Sequence, residues 1–217
     1  MRDLRIWFNK TGEARYISHL DLNRFMLRVI KRAQIPVWYT EGYNPHPYIT
    51  FALPLSLGFE STCESMDIRI TDDSMTDGEV FERFASAVPS GLEIVKVASP
   101  KMKQKAIAFA DYSVLFFTDP ANTDTVWDFV SAPTIKVVKT TKKGGSKEID
   151  LKEFVGYLKV TSQEDGVLLN VRLAAGSVTN INPSLLADAL LERTGIECSG
   201  YSVKRVAMTD SEGRLFN

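Results

Sequence analysis

The sequence predicts an α+β protein made of tandem ferredoxin-like modules, each an antiparallel sheet with helices on one face. Two observations indicate this fold. Segments with strand and helix patterns follow the order strand, helix, strands, helix, strand, and this order occurs twice. A polar stretch without apolar periodicity, at residues 100–106, separates the two runs. We therefore expect one module at residues 1–100 and a second at residues 107–217.

The first module begins with a strand pattern at residues 4–8, LRIWF. A helix follows from Ser18 and is stopped by Pro36. Its apolar positions recur at helical spacing: Leu22, Phe25, Met26, Val29, Ile30 and Ala33. The later segments read as strands or extended chain at 37–40, 48–55 and 65–71, a helix at 80–88 and a strand at 92–98.

The second module repeats this order of elements. We expect a strand at 111–117, a helix at 123–130, a hairpin or paired strands through 134–141 and 156–162, a strand at 166–173, a helix at 183–195 and a strand at 201–208. Asn182 as cap, Pro183 in the first turn and Gly195 at the end define the last helix. No repeat of individual residues accompanies the repeated order.

The composition is that of an ordinary globular protein, with 44% hydrophobic and 24% charged residues. No apolar run approaches the roughly 18 residues that a membrane-spanning helix needs, and the first residues lack the apolar core of a secretory signal. We therefore expect a cytoplasmic protein with no membrane partner. Cys63 and Cys198 are far apart, so we expect neither a disulfide framework nor a cysteine metal cluster, but two small buried side chains.

Basic residues are concentrated near the start of a chain whose formal net charge is −1. On the first predicted helix, Arg24, Arg28, Lys31 and Arg32 form one basic stripe beside the apolar face. Tyrosines are interleaved with these basic residues: Tyr16, Tyr39, Tyr43 and Tyr48. This combination suits phosphate contacts and base stacking on single-stranded or looped RNA. A solvated helix face is the alternative.

Ser18 and Asp21 have the spacing that caps a helix N-terminus. His19 follows the cap, and His46 lies in a turn-rich loop at 41–47 that could return to the same helix end. A metal site would need these histidines with Asp21 and Glu41, but the short spacings typical of zinc motifs are absent, and we expect no metal or other cofactor.

The sequence lacks the common motifs for phosphate binding and for nucleophilic catalysis. Residues 142–147, KKGGSK, lack the length and order of a P-loop and are expected to form an exposed turn. The sequence contains neither G-x-S-x-G nor G-x-G-x-x-G, so it predicts no serine hydrolase and no dinucleotide site.

Residues 15–60 resemble the opening of the bacterial radical-SAM-associated (radical-SAM-linked) proteins, a domain of unknown function. The resemblance lies in Ser18-His19-Leu20-Asp21, in Glu41-Gly42-Tyr43-Asn44-Pro45-His46-Pro47, in Leu53-Pro54-Leu55 to Gly58, and later in Glu148-Ile149-Asp150-Leu151. It implies a non-catalytic accessory of a radical-SAM enzyme, with a role in RNA modification or a ribosome-related role. An iron-sulfur cluster needs closely spaced cysteines, so the radical chemistry would belong to the partner.

The leading hypothesis is an adaptor that holds structured RNA, such as tRNA or rRNA, for a radical-SAM partner. The predicted RNA-binding residues are Arg15, Tyr16, Arg24, Arg28, Lys31, Arg32, Tyr43, Asn44 and His46. A likeness in fold to CRISPR RNA-processing endoribonucleases supports an alternative, metal-independent RNA cleavage with His19 or His46 as general acid or base and Tyr16 or Lys31 nearby. A module that docks a partner protein without RNA is the third hypothesis.

Overall fold

The computed structural model describes residues 1–140, 145–176 and 179–217. It divides into two compact units, Met1–Gln104 together with Asn217, and Lys105–Phe216. We call them unit 1 and unit 2. Within the described ranges, no helix has both the length and the apolar character needed to cross a bilayer.

Unit 1 has the predicted ferredoxin-like arrangement. Its elements are β1 (Arg2–Lys10), α1 (His19–Arg32), β2 (Ile49–Phe51), β3 (Glu60–Ile70), α2 (Asp77–Ala87) and β4 (Leu92–Ala98). The strands lie in the order β4-β1-β3-β2, and each neighbouring pair is antiparallel. The alternation of apolar residues in β1 and β3 specifies which face of each strand packs on the helices.

Alternation along β1 and β3 separates the two faces of this sheet. The core-facing side chains are buried and form one hydrophobic cluster with those of both helices: Leu4, Ile6, Phe8, Met66, Ile68 and Ile70. The opposite side chains form what we call the strand face of unit 1: Asp3, Arg5, Trp7, Asp67 and Arg69. Because the period of a strand is two residues, these polar and aromatic residues cannot point into the core.

The strand face of unit 1 is partly covered by the end of its own chain segment. Arg5, fully buried, donates to both oxygens of Asp67 at 2.6 and 2.9 Å and to the backbone oxygens of Met102 (2.8 Å) and Asn217 (3.1 Å). The side-chain amide of Gln104 donates to Asp67 at 3.1 Å. Part of the polar stretch expected to be a linker is therefore fixed on unit 1.

Unit 2 repeats the arrangement with one insertion. Its elements are β5 (Phe109–Thr118), α3 (Thr123–Ser131), β6 (Lys136–Thr140), β7 (Ser146–Asp150), β8 (Val155–Gln163), β9 (Gly166–Ala174), α4 (Pro183–Thr194) and β10 (Cys198–Thr209). The antiparallel order is β10-β5-β9-β8, and β6 pairs with β7 as a separate hairpin. Asn182 caps α4 by accepting from the Ser184 N–H, and Gly195 ends it in the left-handed conformation at φ 64°. Both α4 end signals are confirmed.

The two units share an Asp-Arg pair on equivalent strands. In unit 1, Asp3 of the first strand lies opposite Arg69 of the third, and the guanidinium donates to both carboxylate oxygens at 2.7 and 3.2 Å. In unit 2, Asp111 lies opposite Arg172 in the same way, with distances of 2.6 and 2.8 Å. The surrounding segments also correspond, MDIRI at 66–70 and LNVRL at 169–173.

A tyrosine completes the shared set from the second strand. Tyr157 of β8 lies opposite Arg172. Tyr48 immediately precedes β2, and its ring centroid lies 5.4 Å from the Arg69 guanidinium carbon. The two units therefore share three equivalent positions, although their sequences are not repeated residue by residue. Unequal spacings and the inserted β6–β7 hairpin separate these positions in the linear sequence.

Of the segments 37–40 and 48–55, Ile49–Phe51 is a strand, and isolated β-bridges join Val37 to Ile70 and Tyr39 to Pro47, in keeping with strands or extended chain. Two local predictions need correction. The segment 134–141 pairs with β7 rather than with the strand at 156–162, which belongs to the main sheet. Both cysteines are half-buried rather than buried: Cys63 Sγ lies 3.6 Å from the Ser61 hydroxyl, and Cys198 donates to the Gly200 carbonyl. In the KKGGSK segment, residues 142–144 lie outside the described residues.

Candidate nucleic-acid interface

The N-terminus of α1 is capped as predicted. The Ser18 hydroxyl accepts from the Asp21 backbone N–H at 3.1 Å and donates to the Asp21 carboxylate at 2.7 Å. The carboxylate also lies near the partial positive charge of the helix end, which stabilises it. Ser18 and Asp21 therefore fix the start of the helix, and they position His19 as its first residue.

The basic stripe lies on the exposed side of α1. Arg24, Arg28, Lys31 and Arg32 are all exposed, while the buried residues of the same helix contact the core. Arg24 makes an ion pair with Asp21 at 3.5 Å, with both side chains 62% exposed. An exposed pair of this kind contributes little to stability and can be replaced by contact with another anion. Arg32 reaches the Ala87 carbonyl at 3.5 Å.

Arg15 and Tyr16 lie next to one another on a 3-10 turn before α1, at Gly12–Tyr16. The Arg15 guanidinium carbon is 5.0 Å from the centre of the Tyr16 ring, which is 65% exposed. Arg15 also approaches Glu60 at 3.8 Å. This pair therefore presents an exposed ring with a half-buried cation beside it.

The loop 41–47 is the tip of a projection whose two sides are joined by hydrogen bonds. The Thr40 N–H donates to the His46 carbonyl at 2.9 Å, and the Tyr48 N–H donates to Trp38 at 2.9 Å. Gly42 occupies φ 128°, a conformation open to glycine, at the tip. All residues from 41 to 46 are exposed. The loop therefore has a defined base and an accessible tip that carries Tyr43 and Asn44.

The two histidines have different surroundings. His46 is exposed, and its Nδ1 lies 3.0 Å from the Asn44 carbonyl and 3.2 Å from the Thr40 hydroxyl, so its ring orders its own loop. His19 is half-buried and packs edge-to-face on Phe51, with ring centroids 5.2 Å apart. Across the described residues, no group of three or more His, Cys, Asp and Glu side chains is arranged to hold a metal ion.

A cation-aromatic cluster on unit 1 was not among the predicted site residues. Arg69 lies 5.5 Å from the Trp38 ring and 5.4 Å from the Tyr48 ring, and the two rings are 5.8 Å apart. Hydrogen bonding to Asp3 raises the pKa of Arg69. The sequence contains a signal for the position of Arg69, because the alternation in SMDIRIT (65–71) places this residue on the face away from the core.

A buried lysine beneath Arg15 was also missed. Lys10 is 1% exposed, and its amine donates to the carbonyls of Arg15 (3.1 Å) and Phe59 (3.4 Å). It lies at the end of β1 on the core side, opposite Ser61. A lysine amine can be buried at low cost in free energy when its N–H groups are hydrogen-bonded. Lys10 therefore fixes the backbone that carries Arg15 and Tyr16.

Two solved structures are similar to the chain in part. One belongs to the crystal structure of a Cbf5-Nop10-Gar1 complex, with 10% identity, 96% of this chain and 50% of that chain covered, and a TM-score of 0.54. The chain thus spans about half the length of that protein, and at this identity the likeness shows the fold alone.

The other is an unknown protein from Galdieria sulphuraria, with 10% identity over 94% of this chain and 98% of that chain, but a TM-score of 0.27 carries no argument. None of the curated proteins matches. Residues 3–183 match a family model described as uncharacterized protein conserved in bacteria (DUF2344). The chain belongs to this uncharacterized bacterial family.

Proposed function

We propose that the protein is a non-catalytic RNA-binding accessory that holds structured RNA for a radical-SAM enzyme. The RNA would lie along the basic stripe of α1 and against the tip of the loop 41–47. Arg15 and Tyr16, at the start of the same helix, would extend this surface.

The observation that carries the proposal is the exposure of four basic side chains along one side of a single helix. Arg24, Arg28, Lys31 and Arg32 are all exposed, and Asp21, the ion-pair partner of Arg24, is itself 62% exposed. Phosphate contacts supply most of the affinity of such surfaces, and they require accessible cations more than buried ones.

The loop adds groups that can contact bases. The Tyr43 ring is fully exposed, and Asn44 and His46 lie on either side of Pro45. Stacking on exposed aromatic rings is the main way in which proteins bind unpaired RNA bases. The loop and the stripe together therefore offer both kinds of contact.

Charge reversal tests the RNA-binding part of the proposal. We expect Arg24→Glu with Arg28→Glu to weaken binding of a folded tRNA by about tenfold or more, because two phosphate contacts become repulsive. Lys103→Glu with Lys147→Glu is the matched control, since both lysines are exposed and the change in net charge is the same. Equal affinity for the stripe variant and the control would rule out the stripe as the RNA surface.

The radical-SAM partner is supported by the resemblance of residues 15–60 and by the cysteine content. The chain contains two cysteines, fewer than an iron-sulfur cluster requires, so it would depend on another polypeptide for radical chemistry. Co-purification of the tagged chain from its native cell tests this, with proteins identified by mass spectrometry and RNA sequenced at low and high salt. A radical-SAM enzyme with salt-sensitive RNA is expected. That enzyme without RNA would instead favour the protein-docking hypothesis.

A further inference from the structure

We propose that the strand face of unit 2 is a second RNA site, where an unpaired base stacks on Tyr157 and Arg172. This inference rests on the proposed function and deepens it, because it specifies single-stranded RNA as the ligand of a surface far from α1 in sequence. The strand face of unit 2 comprises the residues of β5, β8, β9 and β10 that point away from the core.

An open cavity of about 680 Å³ lies on this face. Its lining includes Asp111, Gly156, Tyr157, Lys159, Asn170 and Arg172, all from unit 2. The volume falls in the range of pockets that take small ligands or single nucleotides, roughly 300 to 1,000 Å³. Backbone pairing places these side chains in two rows that run across the strands. The first row contains Asp111, Arg172 and Tyr157, and the second contains Asn170 and Lys159.

The first row contains the Arg172 guanidinium, whose orientation is set by Asp111. Asp111 accepts from both Nε and Nη2 of Arg172, at 2.6 and 2.8 Å, so the plane of the guanidinium is fixed. A Cβ atom at Gly156 would lie 3.2 Å from Cδ of Arg172, so the glycine leaves space for this side chain. A guanidinium oriented in this way stacks on aromatic groups, including bases.

Tyr157 supplies the ring beside this cation. It lies directly opposite Arg172 on the neighbouring strand and is 51% exposed. In unit 1 the equivalent arginine and tyrosine are close together, with the Arg69 guanidinium carbon 5.4 Å from the centre of the Tyr48 ring. A base on Tyr157 would stack on the face of the ring and of the adjacent guanidinium.

The second row supplies positive charge for the phosphates. Asn170 accepts from Ser113 at 2.7 Å, which orients its amide, and Lys159 lies opposite Asn170. Lys204 lies opposite Ser113 on the other side. Since Arg172 compensates Asp111, the two lysines give the face an excess of positive charge. RNA, which carries one phosphate per nucleotide, matches this charge.

The equivalent second row in unit 1 is closed. There, Arg5 and Asp67 occupy the positions of Ser113 and Asn170, and Met102 and Gln104 hydrogen-bond to them. Unit 2 therefore retains as an open surface what unit 1 covers with its own chain. For this reason the inference concerns unit 2 alone.

The test uses the full chain and a fluorescein-labelled single-stranded RNA of 12 nucleotides, with the same strand annealed to its complement as a second probe. We expect Tyr157→Leu to weaken binding of the single strand by about tenfold, the loss typical of one stacked base, and to leave the duplex unchanged. Tyr157→Phe, which keeps the ring, is expected to weaken it less. Trp127→Leu is the matched control, because Trp127 is 47% exposed on α3, away from the strand face.

The outcomes distinguish failure of the strand-face site from failure of the proposed function. If Tyr157→Leu binds the single strand as the wild type does, while Arg24→Glu with Arg28→Glu weakens RNA binding, the strand-face site is wrong and the proposed function stands. An equal loss for single strand and duplex would overturn base stacking. If the wild-type chain binds neither the single-stranded RNA nor a folded tRNA, the proposed function itself fails. Thermal unfolding of each variant confirms that the fold is kept.

Discussion

Thr40 and His46 hold the loop 41–47 from both sides. The Thr40 N–H donates to the His46 carbonyl at 2.9 Å, the His46 N–H donates to the Thr40 hydroxyl at 3.2 Å, and the imidazole Nδ1 lies 3.0 Å from the Asn44 carbonyl. The imidazole is therefore part of the loop structure, whatever else it contacts.

His46→Ala removes the side-chain part of this arrangement and leaves the backbone bonds. We expect faster hydrogen exchange at residues 41–46 and weaker RNA binding, with little change in the thermal midpoint, because the loop is exposed and lies outside the core. Exchange measured by mass spectrometry checks this, with Glu41→Ala in the same loop as control. Unchanged exchange in the His46 variant would show that the imidazole does not order the loop.

Arg5 and Arg69 make similar pairs at different depths. Arg5→Met should destabilise unit 1 by about 3 kcal/mol, because Asp67 and two backbone oxygens lose a buried donor. Arg69→Met removes a pair with 37% and 46% exposed side chains and should have a much smaller effect. Urea unfolding followed by tryptophan fluorescence in a Trp127→Phe background reports on unit 1. Equal losses for the two variants would contradict the role given to burial.

Glu79 makes the stability of α2 depend on pH. The Thr76 N–H and then the Thr76 hydroxyl donate to its carboxylate, which lowers the pKa of Glu79 below its usual value. A lowered pKa in the folded state contributes stability above the unfolded pKa, near 4.3, and this stability is lost as pH falls through the folded value.

Glu79→Gln should therefore flatten the fall in unfolding free energy below about pH 4. Thr76→Ala, which removes the hydroxyl from the same capping box, should flatten part of it, and the two changes should not be additive. Urea unfolding at a series of pH values measures both. A pH dependence that is identical in wild type and Glu79→Gln would exclude this contribution.

The adaptor account predicts that the purified chain leaves RNA intact. His46 is engaged with its loop and His19 packs on Phe51, and neither arrangement by itself identifies a general base. Gel analysis of labelled tRNA incubated with the protein tests this. Cleavage that disappears in His19→Ala or His46→Ala would replace the adaptor account with the endoribonuclease alternative.

Local patterns were enough to predict the fold but only part of the site. Apolar spacing identified α1, and Asn182 with Gly195 identified α4, because these signals depend on neighbouring residues. The exposure of the α1 stripe also followed from helical spacing. The contact of Arg69 with Trp38 and Tyr48 did not, because it depends on how the chain after the loop 41–47 pairs with β3 as β2.

The most direct test of the central claim is the salt dependence of tRNA affinity for the wild type and for Arg24→Glu with Arg28→Glu. Affinity for RNA decreases as salt rises, so a plot of log affinity against log salt concentration has a negative slope. If the stripe contacts phosphates, this slope should be shallower in the variant by about one to two units. The Lys103→Glu and Lys147→Glu control should keep the wild-type slope. Parallel slopes for wild type and stripe variant would contradict the claim that α1 binds RNA.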